Sequence, residues 1–113
     1  MSTTWEKFQG ATLSLARSGS IKDRLVEAYR NYLAEVTEDE LPRELREQFQ
    51  YVRCSLTREP PQRGEDAIRA TVRKLSSDEA EDIAENVVQM LSVLARSSQS
   101  VRAAPAPLYL LEA

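Results

Sequence analysis

Residues 76–96, SSDEAEDIAENVVQMLSVLAR, decide the fold class. Ala80, Ile83, Ala84, Val87, Val88, Met90, Leu91, Leu94 and Ala95 recur at helical spacing. They cover about 160° of a wheel that advances about 100° per residue. Ser76 with Glu79 three positions on has the capping-box form, in which the serine oxygen takes a free backbone N–H and the glutamate reaches back to the cap. Asp78, Glu79, Glu81 and Asp82 crowd the first turns and Arg96 closes the last, both favourable to the helix dipole. A face this broad predicts a central helix with more than one neighbour.

Upstream, Ser20 opens a second broad-faced helix in which Ile21, Leu25, Ala28, Tyr29, Tyr32, Leu33 and Val36 span about 140°. Two narrower helices flank it. Thr3 and Glu6 form a capping box before Trp5, Phe8, Thr12, Leu15 and Ala16, and Gly19 follows as a stop. Thr37 and Glu40 repeat the box ahead of Pro42, and Leu41, Leu45, Phe49, Val52 and Leu56 then fall within about 80°. The run Arg58 to Gly64, REPPQRG, is the strong interior breaker, because its two prolines remove N–H donors and push Glu59 out of helical geometry. Glu65 to Leu75 is a shorter helix with Ile68, Thr71, Val72 and Leu75 on one side.

The expected fold is therefore all-α: a compact bundle of about five helices in a single domain over residues 1–100, followed by an extended tail over 101–113. The two broad-faced helices should pack together, with the narrower ones covering them. Residues 58–64 should divide an N-terminal three-helix portion from a C-terminal helical pair. At 113 residues the chain holds one core, since ordinary domains run to about 100–150 residues. A core this small leaves a homodimer sharing the broad faces as an alternative to the monomer.

Composition excludes much chemistry. Without histidine there is no Ser-His-Asp or Cys-His nucleophile pair and no imidazole ligand or base. One cysteine rules out an intrachain disulfide framework and a cysteine-rich zinc site. The three glycines, Gly10, Gly19 and Gly64, form no phosphate loop. Asp78, Asp82 and Glu85 share a side that would suit a hard cation, but acids belong at a helix N-terminus without any metal. No cofactor and no metal is expected, and the chain reads as a non-enzyme.

A net charge of −3 disfavours nonspecific nucleic-acid binding by the whole molecule. No stretch reaches the roughly 18 apolar residues that cross a bilayer, so no membrane partner is expected. The opening MSTTWEKFQG lacks the apolar run of a secretory signal, and with one cysteine this points to the cytoplasm.

Two features remain for function. Arg58, Arg63, Arg69, Arg73 and Lys74 outnumber Glu59, Glu65 and Asp66 over residues 58–75, and arginine favours bidentate contact with carboxylate or phosphate. The same cations could instead pair with Glu65 and with the acidic start of the following helix. The second feature is the tail, where Pro105 and Pro107 precede the apolar cluster Leu108, Tyr109, Leu110 and Leu111. Such a cluster should dock on its own bundle, on a second copy or on another protein, or else stay disordered. Cys54 points away from the stripe of its helix and reads as an inert thiol; Trp5, Tyr29 and Tyr32 read as core.

The function these features predict is binding to another protein, as an adaptor, regulatory subunit or inhibitor. The second-ranked reading is accessory nucleic-acid binding through an arginine patch between Arg53 and Lys74, and it lacks the interleaved aromatics that stack on bases.

Overall fold

Side-chain oxygens meet free N–H groups at the start of most of the helices. A computed structural model describes residues 3–103, with side chains through residue 96. Thr3 Oγ1 accepts from the Glu6 N–H (3.1 Å) while the Glu6 carboxylate accepts from the Thr3 N–H (2.9 Å), opening α1 (Thr4–Leu15). Ser20 Oγ accepts from the Asp23 N–H at the head of α2 (Ile21–Ala28). A π-helical turn (Tyr29–Leu33) continues α2, closed by the Ala34 N–H donating to the Tyr29 carbonyl at 2.8 Å. The Thr37–Glu40 pair caps a short 3-10 turn (Glu38–Glu40), and α3 (Arg43–Thr57) starts afresh behind Pro42. Asp66 caps α4 (Ala67–Lys74) through the Arg69 N–H, and the reciprocal Ser76–Glu79 bonds open α5 (Ser77–Ala103).

The all-α architecture expected from the sequence is the one observed, with five α-helices among the described residues packed around one core. Phe8, Leu25, Leu33, Phe49, Leu56, Ile83 and Met90 are fully buried at its centre. Phe8 and Phe49 meet edge to face with centroids 6.0 Å apart, an arrangement that adds about 0.5–1.5 kcal/mol beyond area burial. The stripe of α3 buries as read: Leu41, Leu45, Phe49, Val52 and Leu56.

The broad-faced α2 and α5 touch, and the narrower α1 lies against both of them, as expected; α5 also touches α3. Small residues on α1, Gly10 and the fully buried Ala11, let the neighbours approach that closely. Two helices, α4 and α5, follow the 58–64 loop, and the short α4 packs on α3 and α2.

Three face assignments are corrected. Ala16 caps the end of α1 and is exposed, while Val26, beyond the expected arc of α2, is buried. Val88, read as core, is 41% exposed. The breaker loop ends in a tight turn, with Gln62 and Glu65 exchanging backbone bonds of 2.9 Å and Gly64 at φ +79°, a left-handed value that suits glycine. Helical backbone runs through residues 101–103, past the expected start of the tail. The rest of the expected tail, including Leu108, Tyr109, Leu110 and Leu111, lies outside the described residues.

Candidate functional site

The arginine-bearing segment is largely occupied by its own chain. Arg69 reaches across to Asp23 of α2 at 3.1 Å, Arg73 forks onto Glu65 with bonds of 3.1–3.2 Å, and Lys74 meets Glu59 at 3.0 Å. Asp66, besides capping α4, takes Arg30 in two bonds of 2.8 and 2.9 Å. Arg53 donates to the Val36 carbonyl and lies 4.8 Å over the Phe49 ring, which removes it from any outward-facing patch. Of the five cations singled out in the sequence, only Arg58 and Arg63 form no ion pair among the described residues.

The free basic patch is thereby corrected to a set of local pairs, and the two unpaired arginines sit apart in kind. Arg63 is exposed at the tip of the Gln62–Glu65 turn. Arg58 borders a hollow of about 400 Å³ with Tyr51, Ser55, Asp78, Glu79 and Asp82. The Glu79 carboxyl is held below its ordinary range by the Ser76 N–H first and the Ser76 hydroxyl next, with a smaller attraction from Arg58. Tyr51 donates to Asp82 at 2.8 Å, and that bond raises the phenol. The acidic start of α5 is thus engaged with α3 and with its own cap. Among the described residues, no three potential ligands from His, Cys, Asp and Glu gather at metal distance.

Cys54 is exposed, as its position opposite the α3 stripe implied. Trp5, Tyr29 and Tyr32 pack partly buried against the core.

A different surface stands out. Where the α1–α2 corner meets α5, Leu15, Ile21, Ala84 and Val88 floor an open groove of about 430 Å³. Arg24, Glu81, Glu85 and Gln89 form its polar border. The Arg24 guanidinium is anchored there, donating to the carbonyls of Leu15 (2.6 Å) and Gly19 (3.1 Å), which fixes one wall of the groove to the end of α1. Its apolar floor, polar rim and open mouth suit side chains from another polypeptide better than a small reactant that must be sealed from water.

All four floor residues were read as core, which holds for Leu15 and, as partly buried neighbours, for Ile21 and Ala84, but not for Val88. The available signal was the edge of the wheel: Val88 marks the extreme of the α5 arc, where burial gives out first. Compared with family models, with curated proteins and with solved structures, the chain matches none. No helix among the described residues is long and apolar enough to cross a membrane.

Proposed function

We propose that the protein is non-catalytic and acts by binding another protein, as an adaptor, regulatory subunit or inhibitor, with the groove between the α1–α2 corner and α5 as its contact surface. One observation carries this reading: Val88 stands 41% exposed beside Leu15, Ile21 and Ala84, inside a ring of charged and amide groups. Covering apolar surface gains about 25 cal/mol per Å², so an apolar floor rewards an apolar partner side chain, and the polar rim limits indiscriminate sticking. An exposed thiol at Cys54 is compatible with a reducing, cytoplasmic setting. The nucleic-acid alternative draws little support from a segment whose Arg69, Arg73 and Lys74 are already paired with carboxylates.

The test is a photo-reactive residue placed at position 88 in cells of the native host, with position 13 as control. Leu13 is an equally apolar, 61% exposed residue elsewhere on the surface. Protein adducts formed from position 88 and not from position 13 are expected. Equal labelling from both positions, or none from 88, contradicts the reading.

A further inference from the structure

We infer that the partner segment seated in this groove is an amphipathic helix whose apolar stripe is flanked on one side by lysine or arginine. This rests on the reading that the groove binds protein, and adds the shape and charge of what it binds.

The helical form follows from what the groove does not offer. Nearly every residue of a partner segment brings an N–H and a carbonyl, and covering them without hydrogen-bond partners is costly. An extended segment settles them on the edge of a sheet. This groove is walled by helices, whose main-chain groups are spent on their own ladders, and no strand is present among the described residues. The carbonyls of Leu15 and Gly19, left over at the end of α1, are already taken by Arg24. A segment laid on such walls must satisfy its own backbone, and an α-helix does so.

The charge of its flank follows from α5. Ala84 and Val88 repeat four positions apart, and Glu81 and Glu85 do the same in the neighbouring row, so an apolar ridge and an acidic ridge run side by side. Both carboxylates are exposed, and neither enters an ion pair among the described residues. Asp82 and Glu79, by contrast, are engaged by Tyr51 and by the Ser76 cap. Arg24, the one cation on the rim, spends its guanidinium on the two carbonyls of the opposite wall. Like charges four residues apart on a helix repel, and a partner cation over each relieves that repulsion. Lysine and arginine suit the place doubly, since their stems cover apolar floor while their heads reach the carboxylates.

Panning a displayed library of fully randomised peptides, about five turns or ~18 residues long, against the full-length protein tests this. The peptides kept are those that bind the wild type and not Val88→Gln, a neutral change at an exposed position. They should carry apolar residues at helical spacing with lysine or arginine along one flank. They should gain helical circular dichroism on binding and lose binding when proline is placed at mid-peptide. Against the double variant Glu81→Lys, Glu85→Lys their dissociation constants should rise tenfold or more, and exchanging the peptide's cations for glutamate should restore binding. The double variant Glu35→Lys, Glu47→Lys makes the same change in net charge at exposed positions outside the groove and should leave binding unchanged. Circular dichroism verifies that each variant keeps its helical content.

Acidic or uncharged binders, binders that tolerate proline, equal loss in the two double variants, or no binder that depends on Val88 overturns the inference. So does a wild type that dimerises through position 88, which gives the groove to a second copy. Photo-capture at position 88 separates the two failures: foreign protein adducts there preserve the binding function while the basic helix falls, and their absence removes both.

Discussion

Gly10 of α1 lies directly beneath the ring of Tyr32, so close that a methyl group at position 10 would sit 2.3 Å from Cε1. The contact links α1 to the π-helical turn, in which Leu33 remains fully buried, and it is the closest approach that any glycine here makes. Alanine in a helix interior is ordinarily favoured over glycine by about 1 kcal/mol. At this position the sign reverses, because the ring must move: Gly10→Ala should destabilise by about 1–3 kcal/mol in urea unfolding. In a Tyr32→Ala background the same change should become neutral or stabilising. An equal cost in both backgrounds would show that the ring is not what excludes the methyl group.

Glu40 ties the connection after the π turn to the N-terminal helix. Its carboxylate accepts from the Thr37 N–H at 2.8 Å, from the hydroxyls of Thr37 and Thr4 at 3.1 Å, and from Lys7 at 3.2 Å. The Thr37 N–H does most to hold the group down from its ordinary 4.5 to about 2. Its stabilisation is therefore complete above about pH 4.5 and is lost as pH falls towards 2. Glu40→Ala should cost about 1 kcal/mol at pH 7, and the gap from wild type should close across that acid window in melts at stepped pH. A gap independent of pH would contradict the assignment.

Phe49 should be the costliest single truncation in α3. It is fully buried, meets Phe8 edge to face and carries Arg53 over its ring. Phe49→Ala should lose about 3–5 kcal/mol, a large share of the roughly 5–15 kcal/mol that holds an ordinary domain folded. Leu13→Ala, at an exposed position, should stay within about 0.5 kcal/mol. Thermal melts of the two variants check the contrast.

These outcomes divide along what could be read in advance. The α3 stripe was legible because its neighbours α4, α5 and Phe8 of α1 all lie on one narrow arc, so periodicity and burial coincide. The caps at Thr3, Ser20 and Ser76 were legible because the partners lie three residues apart. Val26 and Val88 were misplaced because a wheel gives directions and not neighbours: α2 is covered further round than its arc, and α5 less far. The Arg69–Asp23 pair joins residues 46 positions apart and leaves no local signature. The π turn was equally hidden, since Tyr29 to Val36 fit a straight helix on the wheel.

The ion pairs around α4 should matter little to folding and much to what the surface does not bind. Exposed pairs contribute about 0–1 kcal/mol, so Arg69→Ala and Arg73→Ala should each cost less than about 1 kcal/mol. With these cations neutralised and a net charge of −3, the protein should leave duplex DNA unshifted even at low salt. A mobility shift that weakens steeply with added salt would restore the arginine segment as a phosphate-binding surface.

The most direct measurement of the central claim is an NMR titration of the full chain with the protein captured from position 88, a second copy included. The methyl signals of Leu15, Ile21, Ala84 and Val88 should move together, while the amides of Arg63, Arg69 and Arg73 hold still. Shifts gathered on residues 58–74, with the four groove methyls unmoved, would place the working surface on the opposite reading and contradict the account.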